Sequence, residues 1–324
     1  MDPKLLTIYN QSFDFGQKGV VTIPVGKLPL GPKIGVKVFV YRATKPGPTV
    51  LLLGGLHGDE INGVEILRRA QEDGFFDKIA VGTVIVIPLL NAYGFIQFSR
   101  DVTDGKDVNR SFPGSNKGSM ASRVANAITK HILPNIDAGI DFHTGGGQRY
   151  NFPQVRYTTF DSRSETLAKV FGAPILLPQK PIAKSLRRSA KDFKIPLIVY
   201  EGGEALRYDD DSINHGTNGI LRVLHHFGMI SQSPTPTQQE TYQKTTWIRA
   251  NNSGLVETPI KSGIYIRKGQ KLCEINDPYG ESKTLIISAL DGFVIGHNNC
   301  PVVVHGDPLF HVAHNAPSLG EEDE

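Results

Sequence analysis

Short apolar, β-rich runs alternate with helical patterns through the first two-thirds of this 324-residue chain. Such alternation points to a sheet covered by helices on both faces. Val36 to Val40, Thr49 to Leu53 and Thr83 to Pro88 read as strands. So do the runs Ala138 to Phe142 and Pro196 to Tyr200. Glu60 to Ala70 and Ile220 to Phe227 read as helices. Met120, Val124, Ala127, Ile128 and Ile132 recur at helical spacing, which predicts a core-facing helix over Met120 to Leu133.

The junctions of this pattern carry chemistry. In Gly54-Gly55-Leu56-His57-Gly58-Asp59-Glu60, an imidazole and a carboxylate lie three residues apart, where a strand ends and a helix begins. Ligands of open α/β sheets bind at such ends. The two side chains can face one ion but need a third ligand from elsewhere. A second apolar run ends in Asp141-Phe142-His143-Thr144-Gly145, and His143 again follows a strand. Two histidines and a glutamate, with an open position for water, make a catalytic zinc set. Taken alone, His143 would be an ordinary loop or core histidine. Gly54, Gly55, Gly58, Gly145, Gly146 and Gly147 allow backbone to crowd a site, although turns use glycine equally well.

Other polar groups cluster at similar places. Arg100 and the stretch Asp107-Val108-Asn109-Arg110-Ser111-Phe112-Pro113-Gly114 belong to a long polar segment read as a loop, and long ordered loops are usually functional. Guanidinium forks match carboxylate oxygens. The strand-like run at Pro196 leads into Glu201-Gly202-Gly203-Glu204, where a carboxylate would be well placed to move protons. Glu204 reads as a surface acid.

The bulk sequence excludes several classes. A net charge of +3, with no basic run interleaved with aromatics, argues against a nucleic-acid partner. No stretch approaches bilayer-spanning length, and the first residues lack a secretory pattern, so no membrane partner and a cytoplasmic setting are expected. The two cysteines make no disulfide framework. A symmetric homo-oligomer is a common outcome at this size.

The predicted organisation is a catalytic α/β domain over 1–230, a Ser/Thr/Pro/Gln-rich linker over 231–242, an accessory all-β domain over 243–314 and an acidic tail over 315–324. Lys-Gly-Gln-Lys-Leu, around Gly269, and His-Gly-Asp-Pro-Leu, around Gly306, echo one another like the halves of a lipoyl-like barrel sandwich. Pro278 stands where a carrier lysine would be expected, and Lys283 is out of frame, so the module reads as a lid or assembly surface.

Gly-Gly-x-His-Gly-x-Glu, Asp-x-Asn-Arg-x-Phe-Pro-Gly and Asp-x-His-Thr-Gly, in that order, resemble the succinylglutamate desuccinylase/aspartoacylase family of the zinc carboxypeptidase superfamily. The Asp291-Gly292-Phe293-Val294-Ile295 stretch looks like bacterial members similar to N-acetyl-diaminobutyrate deacetylase. The resemblance implies a mixed sheet flanked by helices and one zinc ion per chain, held by His57, Glu60 and His143. It implies Glu201 as general base and Arg100 as the group facing the scissile carbonyl. It also implies Asn109 and Arg110 as a substrate-carboxylate clamp, with Arg188, favoured over Arg187 by its Arg-Ser pair, as a further substrate contact. Asp107 is expected to orient Arg110 or the loop. The activity implied is hydrolysis of the amide of a small N-acylated amino acid. A peptide-trimming metallocarboxypeptidase and a non-catalytic zinc-fold binding protein are the rival readings.

Overall fold

The computed structural model describes residues 5–27, 31, 33–257 and 260–315. All of the expected acidic tail except Asn315 lies outside them.

The expected runs form one large mixed sheet. Its centre is four parallel strands in the order Leu197–Glu204, Ala138–Gly145, Thr49–Leu53, Thr83–Ile87. The middle strands are almost wholly apolar and buried, as befits strands covered on both faces. Antiparallel strands Lys33–Arg42 and Lys18–Lys27 extend one edge, and Arg149–Thr158 extends the other. The sheet is therefore mixed, as the family resemblance implies.

Helices cover both faces. Ile61–Glu72 and Asp210–His226 pack with Ser162–Phe171 over one face, where Ile66, Leu67, Phe171, Ile220 and Val223 build an apolar core. Met120–His131 covers the other through Ala121, Val124, Ala125 and Ile128. The stripe predicted from Met120 onward thus faces the core. Two strands run further than the apolar pattern suggests. Ala138–Gly145 includes His143, and Leu197–Glu204 includes Glu201, so both residues lie within strands rather than past their ends. Hydrogen bonding to neighbouring strands continues through these polar residues, which hydropathy cannot register.

The C-terminal region is antiparallel β. Gly254–Glu257, Lys271–Asn276, Lys283–Ile287 and Val302–Val303 form a separate small sheet. Ile266, Leu272, Ile275, Val294 and Phe310 contribute to its own core. The remaining C-terminal strands join the large sheet: Gly292–Asn298 pairs with Arg149–Thr158, then Pro308–His314, then Lys244–Arg249. Within the linker segment, Glu240–Thr241 pairs with Ile175–Leu176. Hydrogen bonding thus runs unbroken from the first region into the second and brings Trp247 and His311 towards the polar strand ends. Lys283 forms an ion pair with Glu274.

Among the described residues, no helix is long and apolar enough to cross a membrane.

Candidate active site

Glu60 is the residue immediately before the Ile61–Glu72 helix, and His57 lies in the tight turn leading to it. Close backbone approach explains the glycine between them. A Cβ on Gly58 would come within 2.0 Å of the Gly94 carbonyl carbon. Gly145 is similarly confined, with Arg149 O at 2.0 Å.

The three candidate ligands converge. His57 Nδ1 lies 2.8 Å from Glu60 Oε1, and His143 Nδ1 lies 2.8 Å from Glu60 Oε2. The two Nδ1 atoms are 3.2 Å apart. All three side chains are buried, and one donor atom from each falls within 4.8 Å of the others. Burial disfavours charge on each, but mutual attraction wins. Against burial, Glu60 and Asp107 raise the pKa of His57, and Asp141 and Glu60 raise that of His143 well above its ordinary value. Against burial, the histidines hold the Glu60 carboxyl well below the usual range. A buried set of two imidazoles and a carboxylate with converging lone pairs suits a divalent metal.

Carboxylates stand behind the histidines. Asp141 Oδ2 is 2.9 Å from His143 Nε2, and Asp107 Oδ1 is 3.3 Å from His57 Nε2. Asp141 and His143 alternate by two along a strand and so share a face. That period was available in the Asp-x-His motif. Such backing turns the opposite ring nitrogen towards an ion.

Asp107 engages Arg100 more closely than Arg110. Its Oδ2 accepts from Arg100 Nη2 at 2.9 Å and Nε at 3.2 Å, whereas Arg110 Nη1 is 3.9 Å away. Burial opposes Asp107 ionisation, but His57 and Arg100 outweigh it and lower its pKa. Arg100 Nη1 donates to Glu60 Oε1 at 3.3 Å, so this guanidinium sits against the candidate ligands. Asn109 Oδ1 accepts from Leu186 N at 2.9 Å, pinning the polar loop to the start of the Leu186–Asp192 helix.

Glu201 faces the same cavity. Asn151 Nδ2 donates to its Oε2 at 2.8 Å, and Arg156 Nη1 pairs with Oε1 at 3.1 Å. Neither partner carries a recognisable motif.

The arginine at the helix start needs correction. The Arg-Ser pair favours Arg188, yet Arg188 is exposed and pairs with Asp192 at 3.1 Å, while Arg187 lines the cavity. Adjacent helical residues point about 100° apart, so only one can face the site. Packing of the Leu186–Asp192 helix on its sheet selects Arg187.

The cavity, of about 250 Å³, is lined by the ligand set, Glu201, Arg100, Asn109, Arg110 and Arg187. It also receives Trp247 and His311 from the C-terminal strands. Their stacked rings lie 4.4 Å apart at 4°.

This architecture has known counterparts. The chain is 26% identical over 289 residues to the N-alpha-acetyl-L-2,4-diaminobutyric acid deacetylase of Halomonas elongata, covering 85% of this chain and 84% of that one. It is similar to the solved succinylglutamate desuccinylase/aspartoacylase from Rhodobacter sphaeroides, with a TM-score of 0.81 at 25% identity, over 93% and 96% of the two chains. The fold also matches the product-bound ectoine utilization protein from Ruegeria pomeroyi, with a TM-score of 0.82 at 23% identity, over 92% and 95% of the chains. The model of the succinylglutamate desuccinylase/aspartoacylase catalytic domain matches residues 46–227, more than half the sequence. With three ordered motifs, a converged His–Glu–His set and this match, the chain belongs to the succinylglutamate desuccinylase/aspartoacylase family of deacylases.

Proposed function

We propose that the protein hydrolyses the amide bond of an N-acylated amino acid with one zinc ion held by His57, Glu60 and His143. The donor set supports zinc. Two imidazole nitrogens bound tetrahedrally at about 2.0–2.1 Å lie roughly 3.3 Å apart, and the Nδ1 atoms here are separated by 3.2 Å. A zinc ion in this set supplies a Lewis acid for the attacking water and the scissile carbonyl.

The chain's own groups do the rest. Glu201 accepts a proton from the attacking water and passes it to the departing nitrogen. Asn151 and Arg156 hold its two oxygens in place. Arg100, anchored by Asp107, donates to the developing oxyanion. Asn109 and Arg110 hold the substrate carboxylate, and Arg187 takes the place expected of Arg188. A cavity of about 250 Å³, walled by Trp247 and His311, suits a small amino-acid derivative.

The observation carrying the reading is that Glu201 and the His–Glu–His set open into one cavity. The test is hydrolysis of N-acyl amino acids by zinc-loaded protein. Glu201→Gln is expected to reduce kcat by roughly a hundredfold to ten-thousandfold while zinc content stays unchanged. Unaltered turnover in that variant would refute the mechanism.

A further inference from the structure

The Leu197–Glu204 strand breaks its register directly after Glu201. Glu201 and Glu204, three residues apart, pair with His143 and Gly145, which are two apart. The extra residue makes a bulge, and bulges beside active sites re-aim side chains. Two glycines make room for it. Gly203 has φ +81°, in the left-handed region, and a Cβ there would fall 2.2 Å from Asn62 Nδ2. A Cβ on Gly202 would fall 2.5 Å from the Tyr200 hydroxyl, which donates to Ser212 O at 2.7 Å. The bulge is thus walled in by Asn62 and Tyr200.

Asn62 comes from the segment that supplies a candidate metal ligand. It lies two residues after Glu60, in the first turn of the Ile61–Glu72 helix, and is only 1% exposed. Its Oδ1 accepts from Asp209 N at 3.2 Å, and its Nδ2 donates to Gly202 O at 3.4 Å. An amide with one end accepting and the other donating has its orientation fixed. Asp209 is the N-cap of the Asp210–His226 helix. One buried side chain therefore joins the ligand-bearing helix, the peptide that follows Glu201 and the start of a third element. A backbone bond from Leu206 N to Asp59 O, at 2.9 Å, ties the same two segments together nearby. Asn62 itself does not line the cavity.

We infer that Asn62 is a positioning residue: by holding the Gly202 peptide, it fixes the reach of the Glu201 carboxylate towards the His57–Glu60–His143 set. This rests on the deacylase reading above and adds to it a residue that acts through Glu201 rather than on the substrate. Asn151 and Arg156 hold the carboxylate oxygens, whereas Asn62 holds the backbone from which that side chain springs. Without the amide, Gly202 O loses its side-chain partner, and the two glycines relax into the vacated space. Misplacing a reacting group by about 1 Å costs roughly a hundredfold in rate.

Zinc-loaded, full-length Asn62→Ala, Glu201→Gln and the double variant are compared with wild type on an N-acyl amino acid, with kcat expressed per bound zinc. Asn62→Ala is expected to lower kcat by about tenfold or more, with KM changed by less than about threefold. In the Glu201→Gln background the same substitution should change the residual kcat by less than about twofold, because the group it positions is already gone. Asn62→Asp keeps the acceptor for Asp209 N and loses the donor to Gly202 O. It should behave like Asn62→Ala, and it replaces that variant if the alanine protein does not fold. Equal falls in both backgrounds would show a general structural effect and overturn the inference, as would full turnover in either Asn62 variant. Unaltered turnover in Glu201→Gln would remove the base and the inference together. A crystal structure of the Asn62 variant gives a readout independent of turnover. The Glu201 carboxylate is expected to move by about 1 Å or more while His57, Glu60 and His143 stay in place. An unmoved Glu201 overturns the inference whatever the kinetics. Wild-type protein that hydrolyses no N-acyl amino acid, with Glu201 displaced in the variant, would sink the deacylase reading and leave the positioning role standing.

Discussion

Glu201 is the register partner of His143 in adjacent parallel strands. Partners in a parallel ladder project their side chains to the same face, so the backbone ladder itself sets the carboxylate beside a candidate metal ligand. Its aim then depends on Asn151, which donates to Oε2 at 2.8 Å. Asn151→Ala is expected to lower kcat about tenfold or more with little change in KM, since misorientation penalises the reacting geometry. Steady-state kinetics on an N-acyl amino acid checks this, and a change confined to KM would contradict it.

Asp141 backs His143 through its Nε2 at 2.9 Å. Asp141→Asn is expected to weaken metal affinity by roughly 10- to 100-fold. Competition with a chromophoric chelator measures the change. An unchanged affinity would show that the pair serves folding alone.

Arg187 and Arg188 are adjacent but differ in environment. Arg188→Gln removes an exposed i, i+4 pair with Asp192 and should alter stability by no more than about 0.5 kcal/mol, with kcat/KM unchanged. Arg187→Gln removes a buried cation with no carboxylate within ion-pair distance among the described residues. It should cut kcat/KM at least tenfold without lowering Tm. Kinetics and thermal melts on both variants separate the two residues, and the opposite ranking would reverse the assignment.

His311 supplies a pH signature. Burial, reinforced by Arg156 and Arg149, lowers its folded pKa to about 3. The unfolded value is about 6.5. Between those values the unfolded chain binds a proton that the folded one does not. Stability is therefore lost as pH falls from about 6.5 towards 3, by up to about 1.4 kcal/mol per pH unit from this group. Urea denaturation of wild type and His311→Asn at pH 6.5 and 4.5 should show a shallower decline in the variant. Parallel declines would show that His311 is not buried as a neutral ring.

Gly58 lies between two candidate ligands with no room for a side chain. Its Cβ would strike the backbone of Gly94 and Phe95, neither of which is a flexible side-chain end that can swing away. Gly58→Ala is expected to cost about 1–3 kcal/mol and to reduce bound metal. Chemical denaturation and metal analysis test both effects, and a fully metal-loaded, wild-type-like variant would refute the close packing.

What could be read along the chain was what depends on local pattern. Apolar runs located the Thr49–Leu53 and Thr83–Ile87 strands, and helical spacing located Met120–His131, because burial on a given face imposes a period on the residues themselves. Motif spacing likewise marked His57, Glu60 and His143, whose donor atoms now lie within 4.8 Å of one another. Other features were decided only in three dimensions. Helix packing chose Arg187 over Arg188, and strand register brought Asn151 and Arg156 to Glu201. Continuation of the sheet into the C-terminal strands carried Trp247 and His311, some hundred residues or more from His143, into the same cavity. Hydrophobic period reports which face of an element is buried, but which distant polar groups meet there is set by how the elements pair and pack.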